Sequence, residues 1–197
     1  MIIKQLTRTI ALLGVSLVFI GCQTGPEPID LPKDLRVSSV VSTSARTFDP
    51  QTGSTVRWRG DIAVNAPEGT PSDPDQVAYI HEQIEAQLKA KGYQLVGPEA
   101  PADFLLQGLI VLGNELNEKQ LREVLGFEPG LVASGTQHVK GSLLLMLLDP
   151  KTNETQWRSA VQIFVEQQLP EDIRQQRIRF GVASLLHPLP RLNTVSP

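Results

Sequence analysis

The stretch 141–165, GSLLLMLLDPKTNETQWRSAVQIFV, predicts two β-strands joined by a turn. Its first part, 143–148, is a continuous apolar run, and Asp149 and Pro150 begin a polar segment that is typical of a turn. From position 155 onward apolar and polar residues alternate, as they do in a strand with two unlike faces. Because the connection is short, we expect an antiparallel hairpin, around which the rest of the sheet is predicted.

The two strands of this hairpin differ in the patterning of their faces. In the second strand, odd-numbered positions from 157 to 165 are mostly apolar and even-numbered positions from 156 to 162 are mostly polar, which predicts one buried and one wet face. In the first strand, however, Leu144, Met146 and Leu148 would stand on the wet side. Monomers seldom expose large apolar patches, so either another part of the chain or a partner is expected to cover these side chains. We therefore treat the three residues as a candidate partner or ligand surface.

A first helix is predicted from its end signals. Asp73 is suited to cap free backbone N–H groups, and Pro74 is suited to the first helical position. Gly92 is expected to end the helix in a left-handed conformation. Between these ends, apolar residues recur at steps of three and four and form one stripe, which comprises Val77, Ile80, Ile84 and Leu88.

A second helix is predicted between the acidic residues 171–172 and the prolines at 188 and 190. It carries a basic flank of Arg174, Arg177 and Arg179. We interpret this flank as paired surface charges, because an anionic ligand site would require other donors to converge on it.

The fold class is predicted to be α+β. Three further extended segments complete the predicted sheet, at 36–44, 55–58 and 102–112. We expect an antiparallel sheet of about four to five strands with two main helices packed on one face. The single domain is expected to span 36–191, followed by a C-terminal tail at 192–197.

The segment 113–138 would be unusually long for a loop without structure of its own. Asn117 and Gln120 at one end and Gly126 at the other predict a short helix. Its small apolar face is a second candidate partner or ligand surface, and it comprises Leu121, Val124 and Leu125.

The first 22 residues contain basic, apolar and small residues in the order that is typical of an export signal. Lys4 and Arg8 precede an uncharged apolar run at 10–20, and the small residue Gly21 precedes Cys22. A run of this length is too short to span a bilayer of about 30 Å as a helix. The sequence therefore predicts export rather than a transmembrane segment.

The ending Gly21-Cys22 resembles a bacterial lipobox. The resemblance implies that residues 1–21 are a lipoprotein signal peptide, that Cys22 is acylated, and that 22–35 form a lipidated tether. Two or more acyl chains would hold such a protein stably in membrane lipid. In lipoproteins of enteric type, a residue other than Asp after the cysteine, here Gln23, implies the outer membrane, with the domain facing the periplasm.

Composition argues against several classes of function. The chain has 18 Lys and Arg against 21 Asp and Glu, and no basic stripe, so we expect no nucleic-acid partner. Cys22 is the only cysteine, which leaves no internal disulfide. The stretch from His81 to Glu85, HEQIE, lacks the second histidine of a zinc-protease motif, and we interpret it as a solvated helix flank. No nucleophile or nucleotide motif is present, so we expect neither a cofactor nor an enzymatic activity.

Five landmarks occur in a characteristic order: 88–93, 102–106, the glycine-led strand ending at Asp149, Trp157-Arg158, and the closing helix at 174–190. Together they resemble a family of Gram-negative envelope lipoproteins catalogued as a domain of unknown function, number four-one-three-six. The resemblance implies an α+β domain with an antiparallel sheet and two packed helices. It supplies no catalytic residues.

The sequence leaves two hypotheses for the function of this protein. The leading hypothesis is an outer-membrane-anchored interaction or assembly module of the bacterial envelope, in which one of the two candidate surfaces meets an envelope protein. The alternative is a periplasmic carrier that binds a small molecule or a lipid between the sheet and the helices.

Overall fold

The computed structural model describes residues 38–70, 73–113, 122–123, 139–165 and 169–192. These residues form seven strands and two long helices. The elements are β1 (Ser38–Ser44), β2 (Thr55–Trp58), β3 (Ala63–Asn65), α1 (Pro74–Ala90), β4 (Gln94–Leu95), β5 (Phe104–Leu112), β6 (Val139–Leu148), β7 (Thr155–Val165) and α2 (Glu171–Leu186).

The predicted hairpin lies near the centre of the sheet. Strands β6 and β7 are antiparallel, with Leu143 opposite Val161. The sheet order is β1-β7-β6-β5-β2-β4, and β3 also pairs with β5. Strands β1 and β5 add to the hairpin on either side, and both are antiparallel to their neighbours. The hairpin prediction is therefore confirmed.

The sheet is mixed, so the prediction of a purely antiparallel sheet with four to five strands is wrong. Strand β2 is parallel to both β4 and β5, and β3 is also parallel to β5. The physical reason is the position of α1 between β3 and β4 in the chain. A helical crossover of this length returns the chain in its original direction, which antiparallel hairpin turns do not do.

The hairpin turn is stabilised by a side chain. The Asp149 carboxylate accepts hydrogen bonds from the N–H groups of Lys151, at 2.7 Å, and Thr152, at 2.9 Å. The hydrogen bonds donated by the N–H groups of Thr152 and Lys151 hold the pKa of Asp149 below its ordinary value. Asn153 adopts the left-handed conformation, with φ of 63°, which asparagine tolerates better than most residues.

Helix α1 begins and ends as its sequence predicts. The Asp73 carboxylate accepts a hydrogen bond from the N–H of Gln76 at 3.2 Å, and Pro74 occupies the first turn. Gly92 has a φ of 93°, so it provides the left-handed end of the helix.

Both helices cover one face of the sheet. They run in the same direction, because Arg174 near the start of α2 contacts Asp73, and the residues after α2 contact Lys91 just beyond the end of α1. The main core lies between the helices and this face, and its most buried members include Val56, Ile84, Leu88, Leu106, Leu145, Leu147, Trp157, Leu185 and Leu186. Leu192, the first residue of the expected C-terminal tail, is also buried in this core.

Candidate ligand-binding cleft

The residues singled out from the sequence fall in different parts of the chain. Cys22 and the helix-face residues Leu121, Val124 and Leu125 lie outside the described residues, as do the expected signal peptide and tether. Leu144 and Leu148 are only 1% and 4% exposed, and Met146 is half-buried. The structure brings these three together on one strand, and their role as a partner surface remains a prediction.

The second face of the sheet is not wet where the alternation predicted it to be. Ala160 and Gln162, which alternate with the core-facing residues of β7, are both buried. Leu144 packs there against Val111 and Ala160 in a second, smaller apolar cluster. The alternation correctly predicted which residues of β7 share a face, but the prediction that the second face is wet is wrong. A polar residue such as Gln162 does not indicate whether its face is covered.

On the helix side, the described residues enclose a partly open cleft of about 460 Å³. It lies between the first half of α1, residues 174–182 of α2 and the part of the sheet where β5 ends and β6 begins. Ligand sites in proteins have volumes of about 300–1,000 Å³, so the cleft is large enough for a small molecule.

Most of the cleft lining is apolar. The sheet, the two helices and Leu169 just before α2 supply this lining. The apolar side chains are Ile80, Ile110, Leu112, Leu143, Val161, Ile163, Leu169, Ile178 and Val182. The polar and charged residues of the lining are Thr70, Asp73, Gln76, Ser142, Arg174 and Arg177. This composition suits a molecule with an apolar body and a polar or charged group.

Gly181 in the middle of α2 also lines the cleft. A glycine in a helix interior costs about 0.5–1 kcal/mol relative to alanine. Close packing among the described residues does not require this one, because a Cβ atom built at Gly181 would have none of their heavy atoms within 4 Å. The glycine therefore adds open volume to the cleft at the expense of helix stability.

Two arginines of the basic flank reach the cleft. Arg174 Nη1 lies 3.5 Å from Asp73 Oδ2 and 3.3 Å from Glu171 Oε2, so it joins the first turns of the two helices. Arg177 is deeper, with 7% of its surface exposed. The third, Arg179, instead donates a hydrogen bond to Tyr79 Oη at 2.7 Å and does not line the cleft.

The sequence interpretation of this flank as surface charge is wrong for Arg177. One signal was available, since Arg177 precedes Gly181 by four residues and therefore shares a helix face with it. What the sequence did not disclose was that this face would meet a cleft.

The opposite end of the helix pair is closed. Lys91 Nζ donates to the backbone oxygen of Leu189 at 2.7 Å, and the Tyr93 hydroxyl donates to that of Pro190 at 3.3 Å. Burial lowers the pKa of Lys91, and the charge of Arg191 lowers it further. Burial also raises the pKa of Tyr93.

The near miss to a zinc motif has a structural role. The His81 ring stacks on Trp58 with 4.3 Å between ring centres, and Glu85 Oε1 accepts a hydrogen bond from Trp58 Nε1 at 3.2 Å. Both side chains thus fix the indole against α1. In the part of the chain that the structure describes, no three His, Cys, Asp or Glu side chains are grouped so as to hold a metal ion.

Fold and cleft together define the class of this protein: an α+β domain in which a mixed sheet and two parallel helices enclose a ligand-sized cleft. The sequence model of the family described as "Domain of unknown function (DUF4136)" matches residues 41–190. The chain belongs to this family, which confirms the resemblance seen in its sequence landmarks.

Several solved structures are similar to this chain. A PelC dodecamer from Paraburkholderia phytofirmans is 14% identical, with a TM-score of 0.48, over 80% of this chain and 100% of the other. A DUF4136 family protein from Bacteroides thetaiotaomicron is 16% identical, with a TM-score of 0.44, over 73% and 93% of the two chains. Lipoprotein GNA1162 from Neisseria meningitidis is 9% identical, with a TM-score of 0.39, over 68% and 99%.

No curated protein matches the sequence significantly. Among the helices of the described residues, none is both long and apolar enough to cross a membrane.

Proposed function

We propose that this protein is a lipid-anchored carrier of the bacterial envelope that binds a small apolar or amphipathic molecule in the cleft between α1 and α2. The observation that carries the proposal is the cleft itself, with a volume of about 460 Å³ and a mostly apolar lining. Gly181 supports it, because this residue enlarges the cleft at a position where alanine would favour the helix.

The proposed location rests on the amino-terminal sequence. Acylation of Cys22 would hold the chain in the outer membrane, and the domain would face the periplasm. Labelling cells with a radioactive fatty acid tests the anchor. The wild-type chain should be labelled and Cys22→Ser should not, and label retained by the variant would contradict the anchor.

The cleft is tested by filling it. We would purify the full chain in an amphipathic polymer, because free detergent would compete for an apolar site, and titrate it with an uncharged naphthylamine fluorophore. Gly181→Leu places a side chain in the open volume and should weaken saturable binding about tenfold or more.

Gly97→Leu is the matched control for this experiment. Gly97 is exposed, and a Cβ atom there also has no heavy atom of the described chain within 4 Å, so the same side chain is added outside the cleft. This control should bind the fluorophore like the wild type. Equal saturable binding by a folded Gly181→Leu variant would contradict the proposal.

A second experiment compares organic extracts of the purified wild type and Gly181→Leu by mass spectrometry. A molecule that is present in the wild-type extract and missing from the variant extract would be a native ligand of the cleft.

An interaction module is the less supported function. It was expected to use one of two candidate surfaces. In the first surface, Leu144 and Leu148 are buried, so a partner would have to displace the side chains that cover them. The second surface, which comprises Leu121, Val124 and Leu125, lies outside the described residues and stays a prediction. That the protein has no enzymatic activity stays a prediction.

A further inference from the structure

The amino-terminal part of the chain enters the domain beside the cleft. Strand β1 begins at Ser38, which lies opposite Ile163 of β7, and Ile163 lines the cleft. Two residues further on, Val40 lies opposite Val161, which also belongs to the lining. The segment that precedes β1 therefore joins the domain at the cleft and not at the closed end of the helix pair, where residues 187–192 lie.

The segment between the proposed anchor and the domain is short. Residues 23–37 separate Cys22 from Ser38, which makes 15 residues. A random-coil chain of this length has an end-to-end distance of about 20–25 Å. Helix α1, with 17 residues, is itself about 25 Å long. An anchor at Cys22 therefore holds the cleft nearer to the membrane than the closed end, which lies about one helix length further away.

The charges at the cleft balance each other. The lining and the ion pairs at its rim contain two carboxylates, those of Asp73 and Glu171, and two guanidinium groups, those of Arg174 and Arg177. These charges give neither an anion nor a cation an advantage. Binding then depends on the apolar side chains, which favour an uncharged hydrocarbon group because its burial removes apolar surface from water.

We propose that the cleft faces the membrane and binds one acyl chain of a phospholipid drawn from that membrane. The acyl chain lies against Ile110, Ile163 and Ile178, and the headgroup stays outside the apolar lining. A hydrocarbon chain that moves directly from the bilayer into the cleft avoids exposure to water. This inference rests on the proposed anchor and carrier function, and it names the class of ligand and its source.

Light-activated crosslinking tests the inference on the acylated wild-type chain. The protein would be reconstituted into vesicles of phosphatidylethanolamine and phosphatidylglycerol, in which some lipids carry a diazirine near the end of one acyl chain. Mass spectrometry then maps the labelled residues. Label should appear on the cleft lining, at residues such as Ile163 and Ile178, and should be about tenfold or more weaker on the exposed His187 and Arg191 of the closed end.

The glycine variants show whether the label reports binding in the cleft. Gly181→Leu fills the open volume and should lower the cleft label about tenfold or more. Gly97→Leu adds the same side chain at an exposed position outside the cleft and should be labelled like the wild type. Undiminished cleft label in a folded Gly181→Leu variant would overturn the proposed binding of an acyl chain.

Each other outcome has a distinct meaning. Equal label at the cleft and at the closed end would overturn the proposed orientation. A cleft without label, in a protein that still binds the naphthylamine fluorophore, would overturn the phospholipid and leave the carrier function in place. Loss of both signals would overturn both proposals. In a second sample only the acyl chains of Cys22 carry the diazirine, and cleft label in that sample alone would make the protein's own anchor the occupant and overturn the membrane lipid.

A longer tether tests the role of the anchor position. Inserting about 30 Gly and Ser residues after Leu35 trebles the length of the segment, so the cleft label should fall about fivefold, because effective concentration falls with roughly the −3/2 power of length. Binding of the fluorophore in amphipathic polymer should not change. Undiminished cleft label would overturn the proposal that the anchor holds the cleft at the membrane.

Discussion

The two ends of the parallel helix pair are built in opposite ways. At the closed end, formed by residues 91–93 and 187–192, side chains and backbone groups meet within hydrogen-bonding distance. At the open end, around Asp73, Arg174, Arg177 and Gly181, the same two helices enclose a cleft. One end thus provides stability and the other provides space, so the residues that join the two helices are largely separate from the residues that line the cleft.

The closed end links distant parts of the chain. The N–H of Leu192 donates to the backbone oxygen of Lys91 at 2.8 Å, next to the bond from Lys91 Nζ to Leu189. Such contacts join the residue after α1 to the chain beyond α2. They hold the helices together at one end, so the other end does not need close packing to keep the pair in place.

The largest expected effects on stability come from replacing one glycine at each end of the helix pair with alanine. Gly92→Ala should destabilise the fold by about 1 kcal/mol or more, because φ is 93° and the new Cβ atom would lie 2.9 Å from the backbone oxygen of Leu192. Gly181→Ala should instead stabilise it by about 0.5–1 kcal/mol, since helix propensity rises and the Cβ atom would contact none of the described residues. Urea unfolding of the two variants measures both changes. Effects of the same sign would show that the two ends do not differ as described.

A smaller effect is expected from the hydroxyl of Tyr93 at the closed end. Tyr93→Phe removes its hydrogen bond to Pro190 and should cost about 0.5–1.5 kcal/mol at neutral pH. Because burial raises the pKa of Tyr93 above its ordinary value of 10.0, the folded state keeps this proton where the unfolded state loses it. The stabilisation is therefore fully present below pH 10 and is lost as the pH rises through the folded pKa.

The alkaline behaviour is measured as a difference between two proteins. The lowered pKa of Lys91 acts in the opposite direction, raising stability as the pH approaches 10.5, and this contribution is common to both. Unfolding free energies of the wild type and Tyr93→Phe should consequently converge above pH 10. A constant difference from neutral to alkaline pH would mean that Tyr93 does not titrate with folding.

Features set by local chemistry were predictable from the sequence. Asp73, Pro74 and Gly92 fixed the bounds of α1, and the residues 149–154 indicated the hairpin turn. Each of these signals acts over a few residues, through a cap or a turn. The parallel pairing of β2 with β5 was not predicted, because it depends on where α1 returns the chain, and no residue in β2 reports that.

The candidate cleft was predictable only in part. The sequence suggested a ligand between sheet and helices, but its only sign that Arg177 differs from Arg179 was the position of Arg177 four residues before Gly181. All three are arginines of one helix, and their different surroundings arise from tertiary packing. Similarly, Leu144 and Gln162 share a covered face although one is apolar and the other polar.

The smallest expected effect concerns the rim of the open end. Arg174→Gln removes the ion pairs with Asp73 and Glu171, which are partly exposed and lie at 3.5 and 3.3 Å. Exposed ion pairs are screened and contribute about 0–1 kcal/mol, so the unfolding free energy should fall by about 0.5 kcal/mol or less. Lys91→Gln at the closed end is the matched comparison, because it removes a positive charge whose hydrogen bond to Leu189 is buried. That variant should cost more, since the carbonyl oxygens it leaves behind are shielded from water. A loss at Arg174 as large as the loss at Lys91 would mean that the rim pairs hold the helices together, and the open end would then stabilise the fold as well as form the cleft.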